Sequence, residues 1–239
     1  MDDEWICGRL GEDEPWVLGA VNPPVFENSL FTFETAEELG AAVKDEDERY
    51  VYWRGTNPTV DLAQRKLAAL ERGERAKCFG SGMGAISATI SSLVSAGDHV
   101  LVLGAVYGPT TQFLRYLEKF GVSHTHVDDL AAGDSAIRPS TRILYFESPS
   151  YMAYQIVDIT EVTAWARERG LLTVMDNTWS TPLFQKPLTM GGGPRRALAV
   201  EVRRRAQRPR GRRRRGAVAA GQAAGVAGVP AVRGRDVAA

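Results

Sequence analysis

Two cysteines in 239 residues, Cys7 and Cys78, stand far apart and form no C-x-x-C pair. That usage suits a reducing cytoplasm and argues against a structural zinc site. No run of 18 or more apolar residues occurs, and the N-terminus, with Asp2, Asp3 and Glu4, lacks the basic start of a secretory signal. A membrane span and export are both disfavoured, and the expected location is cytoplasmic. Histidine is also scarce, with three in all. His124 and His126 are two apart, which on a strand puts both on one face; with no carboxylate or Cys motif beside them, a packing role is favoured over metal ligation.

The most informative absence is regional. Positions 191–239 contain no Lys, Ser, Thr, Ile or aromatic residue, and Gly, Ala, Arg and Pro supply 37 of the 49. The formal net charge of zero conceals the same break: residues 1–190 carry 16 basic and 27 acidic side chains, and the remainder 13 Arg against Glu201 and Asp236. A segment of that composition buries too little apolar surface to offset its chain entropy. The expected organisation is an N-terminal arm over 1–59, a large α/β domain over 60–190, and a disordered tail over 191–239.

Within 60–190 the apolar pattern alternates between two periods. VDLAQRKLAALE (60–71) places Leu62, Leu67 and Leu70 at helical spacing and ends near Gly73. A short strand is expected at 76–79, a helix over 83–95, and a strand at 99–103 (HVLVL) between Gly97-Asp98 and Gly104. There follow a helix over 110–120, strands near 123–127 and 142–146, a helix over 160–169 and a strand over 171–175. Strands separated by helices imply parallel crossover units covered on both faces. Ligands in such sheets bind beyond the carboxyl ends of the strands, which singles out the loops at 80–83, 104–109 and 176–178.

Each loop carries candidate chemistry beside a plainer use. Gly80-Ser81-Gly82-Met83 joins a strand to a helix N-terminus, where free backbone N–H groups suit a phosphate, although glycines there also serve tight turns. Asp176 ends its strand at the ligand-binding edge; it either caps the turn through Asn177 and Thr178 or pairs with a cationic ring nitrogen. Tyr107 either stacks on such a ring or covers surface. In YVYWRGTNPT (50–59), Tyr52 and Arg54 project to one side of an extended segment and form either a phosphate clamp or a solvated pair.

These residues, taken in order, resemble the Cys/Met metabolism family of pyridoxal-phosphate enzymes, the transsulfuration enzymes. The motifs are NPPVF (22–26), YWRGTNPT (52–59), SGM (81–83), AGDHVL (96–101), YGPT (107–110), ESP (147–149) and DNTW (176–179), spread over residues 15–190. The resemblance implies an aspartate-aminotransferase-like, fold type I large domain that is incomplete here, with pyridoxal 5'-phosphate bound in it and an amino acid as substrate. It implies that Gly82 and Met83 bind the phosphate through their backbone, that Tyr107 stacks on the pyridine ring, and that Asp176 holds the ring nitrogen protonated. Tyr52 and Arg54 match the pair that the family donates to the neighbouring subunit's phosphate, which implies a homodimer or homotetramer. DNTW and ESPSYMAYQIVDI look most like bacterial cystathionine β-lyases, with Tyr151 where the γ-enzymes often carry Asn. The implied reaction is cystathionine to homocysteine, pyruvate and ammonia; a γ-lyase, γ-synthase or sulfhydrylase is the alternative within the family.

The lysine that anchors the cofactor in this family follows DNTW in an S-x-[ST]-K-[YF] motif, but no lysine follows Lys186 here. No catalytic residue is therefore assigned. Because the whole character of the chain changes at Gly191, a one-base frameshift in GC-rich coding sequence is expected. Residues 197–209, read from shifted codons, accommodate H-S-x-S-K-Y-x-G-G-H-S-D, and the codon spanning Glu201 and Val202 admits only Lys or Arg. The chain is then expected to lack the family's small C-terminal domain as well, and to be inactive as written. The nine Arg within 203–215 favour non-specific electrostatic contact with nucleic acid, without an aromatic for base stacking.

Overall fold

Asn57 caps the first long helix by accepting the Val60 N–H, and Pro58 follows at a helix position where its missing N–H costs nothing. From that helix onward the chain alternates as expected. The structure, a computed structural model, describes residues 1–11, 19–46, 48–191, 197–202 and 224–227, the last two segments as backbone. Its helices in chain order are α1 Asp3–Gly8, α2 Ala36–Val43, α3 Pro58–Glu71, α4 Gly82–Leu93, α5 Gly108–Leu117, α6 Leu130–Ala136, α7 Ile159–Glu168, α8 Thr181–Phe184 and α9 Pro187–Met190. The strands are β1 Ala76–Phe79, β2 His99–Leu103, β3 Ser123–Val127, β4 Thr141–Glu147, β5 Leu172–Asp176, β6 Ala197–Val202 and β7 Ala224–Ala227.

The sheet runs β1-β7-β6-β5-β4-β2-β3. Every pairing is parallel except those of β7, which is antiparallel to both β1 and β6. β1 therefore points the same way as β2, β4 and β5, and all four carboxyl ends lie along one edge. All five residues of β2 are buried, as a parallel strand covered on both faces requires. On one face Val100, Val102, Ile143, Tyr145 and Val174 pack against Ala85, Ile86 and Ile90 of α4 and Leu114 and Leu117 of α5. On the other, Leu101, Leu103, Leu144, Phe146 and Met175 pack against Ile159, Val162 and Trp165 of α7. The polar exception in β2, His99, is bonded through both ring nitrogens, to Thr141 Oγ1 at 2.8 Å and Thr125 Oγ1 at 3.0 Å. Burial pushes its pKa down to about 4, so it stays neutral at physiological pH.

Three differences from the sequence reading have clear causes. The arm over 1–59, for which no regular element is expected above, contains α1 and α2. Asp2 caps α1 by accepting the Trp5 N–H at 2.7 Å, Asp3 pairs with both Arg72 and Lys186 at 2.7 Å, and Ile6 is fully buried. A six-residue helix is too short to hold by itself; partners 69 and 183 residues away hold it. Ile6→Ala should accordingly cost about 2–4 kcal/mol in chemical denaturation, and a loss below about 0.5 kcal/mol would show that α1 is not part of the folded unit. The second difference is α6, whose Gly133 weakens the helical signal but lets the backbone approach Trp165: an added Cβ would lie 3.2 Å from the ring. Third, most of the tail expected to be disordered lies outside the described residues, but β6 and β7 pair within the sheet.

Candidate active site

Gly104, with φ +70°, turns the chain out of β2, a backbone conformation that glycine adopts without strain. The segment that follows leads to Tyr107 and the start of α5. At the same edge, Glu147 ends β4 and Asp176 ends β5, and the two are direct register partners. Adjacent residues in a parallel pair point to the same face, so both carboxylates lie on the side covered by α4 and α5, as does Tyr145, two residues before Glu147. Gly82 opens α4 after β1, and Ser81 caps the helix by accepting the Gly84 N–H at 3.0 Å. The N–H groups of Gly82 and Met83 make no hydrogen bond among the described residues.

Asp176 performs the plainer of its two expected uses: Oδ1 accepts the Thr178 N–H at 2.9 Å, closing a turn. The Thr178 side chain is a second hydrogen-bond partner of the carboxylate. Burial raises the Asp176 pKa, opposed by hydrogen bonds from Thr178. The sequence reading missed Glu147 as a site residue. It is buried, and burial, reinforced by the Asp176 charge, pushes it up to about 8, while the Tyr107 N–H opposes this. Tyr145 is fully buried with an unpartnered hydroxyl, and its pKa is raised by burial and then by Asp176 and Glu147. No cation is hydrogen-bonded or ion-paired to either carboxylate among the described residues. A cationic ring nitrogen beside the Asp176 carboxylate would supply the missing positive charge, and the N–H groups of Gly82 and Met83 at the start of α4 suit a phosphate. The donor set thus fits a phosphorylated pyridine.

Tyr107 is half-buried, and its ring lies edge-on to that of Tyr151, with centroids 5.3 Å apart. Tyr52 and Arg54 are elsewhere, on the exposed arm, where Tyr52 bridges Leu30. Arg54 donates to the Tyr52 hydroxyl at 3.2 Å and stands 4.9 Å over its ring, and that hydrogen bond lowers the phenol's pKa. They share no hydrogen bond or ion pair with the strand-end loops among the described residues. His124 and His126 lie on β3 with ring centroids 5.5 Å apart. Among the described residues there is no group of three or more potential metal ligands, and no helix is long and apolar enough to cross a membrane. The Arg-rich positions 203–215 lie outside the described residues.

Such a sheet, with an acid, an aromatic and a helix N-terminus along one strand-end edge, defines the large domain of a fold type I pyridoxal-phosphate enzyme. The chain belongs to the family described as Cys/Met metabolism PLP-dependent enzyme, whose profile matches residues 7–192. It is 42% identical over 176 residues to L-methionine gamma-lyase of Pseudomonas putida, covering 72% of this chain and 44% of that one. It is 42% identical over 176 residues to cystathionine beta-lyase MetC of Bacillus subtilis, covering 72% and 43%. With O-succinylhomoserine sulfhydrylase of Pseudomonas aeruginosa it shares 36% over 209 residues, covering 80% and 52%. Among solved structures, an O-acetylhomoserine (thiol)-lyase from Campylobacter jejuni, which carries N'-pyridoxyl-lysine-5'-monophosphate, superposes with a TM-score of 0.76 at 26% identity, covering 84% of this chain and 49% of that one. The metB protein of Corynebacterium glutamicum gives a TM-score of 0.74 at 26% identity, covering 84% and 50%. The chain spans about half the length of the curated relatives it matches. The profile match ends one residue after the composition changes at Gly191.

Proposed function

We propose that the chain is the cofactor-binding part of a pyridoxal-phosphate-dependent carbon–sulfur lyase acting on an amino acid, with cystathionine β-elimination as its reaction. The observation that carries this reading is Asp176, a largely buried acid at the end of β5 beside a second buried acid, Glu147, with no cation hydrogen-bonded or ion-paired to either among the described residues. Asp176 holds the pyridine nitrogen in its protonated form. Gly82 and Met83 bind the phosphate through N–H groups at the start of α4, and Tyr107 stacks on the ring. Tyr52 and Arg54, already joined to each other and exposed, serve the phosphate of a neighbouring copy in a homodimer or homotetramer. When bound, pyridoxal phosphate acts as an electron sink for the pair left on the substrate Cα. Methionine γ-lyase or homoserine sulfhydrylase chemistry is the second reading, because relatives with those names match as well as a β-lyase does.

Asp176→Asn tests the reading. Asn keeps the oxygen that caps Thr178 and removes the charge, so the fold should hold. Affinity for pyridoxal phosphate, followed by quenching of intrinsic fluorescence, should fall at least about tenfold, the scale of one charged hydrogen bond. Unchanged affinity would reject the site.

A further inference from the structure

The loop after β2 and the loop after β4 are fastened to each other at three points. The Tyr107 N–H donates to Glu147 Oε1 at 2.7 Å. The Tyr151 N–H donates to the Ala105 carbonyl at 3.3 Å. The Tyr107 and Tyr151 rings meet edge to face, 5.3 Å apart and inclined at 75°, a geometry that aromatic quadrupoles favour.

The second loop is itself braced. Ser150 N–H donates to the Gln155 carbonyl at 2.8 Å, and the Gln155 N–H returns to Ser150 Oγ at 3.0 Å. Ser148 Oγ accepts the Val157 N–H at 3.2 Å. Ser148 and Ser150 are both buried. Gln185 reaches in from beyond α8 to donate to the Ser148 carbonyl at 2.8 Å. Tyr151 thus projects from a closed turn, whereas Tyr107 follows a short glycine-started segment and caps α5 without a side-chain hydrogen bond of its own.

We propose that Glu147 and Tyr151 are positioning residues that set the Tyr107 ring over the strand-end site, Glu147 by holding the Tyr107 backbone N–H and Tyr151 by bracing the ring edge. The proposal rests on the reading of that site as the cofactor site. Each residue has a distinct task. Glu147 fixes where the Tyr107 backbone lies relative to Asp176, its register partner on β5. Tyr151 fixes the tilt of the ring about its own bonds. A staple built from an uncharged acceptor and a ring is insensitive to salt, unlike an exposed ion pair, and a neutral Glu147 is mimicked by glutamine.

The test uses the 239-residue chain with Glu147→Ala, Glu147→Gln, Tyr151→Ala and Tyr151→Phe. Two quantities are read: hydrogen exchange of the Tyr107 amide, with the β2 amides as an internal control, and the dissociation constant for pyridoxal phosphate by fluorescence quenching. In Glu147→Ala, Tyr107 exchange should rise about tenfold with β2 unchanged, and the cofactor should bind several-fold more weakly. Glu147→Gln, which keeps the acceptor oxygen, should restore both to within about twofold. Tyr151→Ala should weaken binding several-fold while leaving Tyr107 exchange within about twofold of the parent, and Tyr151→Phe should match the parent in both. Equal behaviour of the Ala and Gln variants at Glu147, or Tyr107 exchange that rises only together with that of β2, overturns the proposal. Full affinity in Asp176→Asn would sink the cofactor reading instead, because it leaves the exchange result at Tyr107 unaffected.

Discussion

The 239-residue chain is expected to turn over cystathionine no faster than free pyridoxal phosphate does, and a gene with its reading frame restored near codons 190–193 to encode an enzyme faster by at least about a thousandfold. No lysine follows Lys186, and the Lys186 amine is occupied by Asp3 and the Pro182 carbonyl. Residues 187–239 then offer no lysine to take the substrate's Cα proton. The frame hypothesis puts the missing lysine at the position held by Glu201. The backbone of β6 runs parallel to β5 with Val200 opposite Asp176, so position 201 is one residue past the register partner of the proposed ring-nitrogen acid. A reactive amine belongs in that place, at the same strand-end edge as the other candidate groups. Measurable turnover by the purified chain as it stands would refute the expectation. Sequencing of the locus decides its cause: a gene with no extra or missing base near codons 190–193 removes the frameshift explanation.

The second large effect concerns pH. Without cofactor, the protein should lose stability as the pH rises from about 5 to about 8, and Glu147→Gln should remove most of that slope. Glu147 has an ordinary value of 4.5 and is pushed up to about 8 in the folded chain. Below 4.5 both folded and unfolded states carry the proton, and the contribution is intact. Above it the unfolded chain releases the proton while the folded chain retains it, so stability falls until the pH passes the folded value. At about 1.4 kcal/mol per pKa unit the change amounts to several kcal/mol. Asp176, raised in the same direction, adds to the slope. Urea unfolding at half-unit pH steps provides the measurement; parallel slopes for the parent and Glu147→Gln would show that the Glu147 carboxyl is not the source. Saturating pyridoxal phosphate should remove the part of the slope that Asp176 adds, since a cationic ring beside Asp176 favours its ionised form.

Much of this molecule was legible in its residues. The strands at 76–79, 99–103 and 123–127 have the bounds that their apolar runs and flanking glycines predict, and α3, α4, α5 and α7 fall within a few residues of theirs. Asp176, Tyr107, Gly82 and Met83 were placed by one rule, that ligands gather at the carboxyl ends of parallel strands. Glu147 escaped because alternation marks it only as the last residue of a buried strand. Its significance comes from the register that sets Asp176 beside it, and no local pattern carries inter-strand register. The ESP motif drew attention to the position without indicating that its acid would be buried. α1 was likewise invisible, because Ile6, Asp3, Arg72 and Lys186 become neighbours only when the chain is folded.

The sequence by itself determined the α/β alternation, the family, the composition break at Gly191 and the absence of a lysine after Lys186, since each depends on residue identity and short-range order along the chain. The tertiary structure alone decided that two acids lie side by side at one strand-end edge, that Tyr107 contacts both Glu147 and Tyr151, and that the N-terminal helix is pinned to α3. Those features depend on which distant segments become neighbours, and burial in that common environment is what shifts the acids' proton affinity.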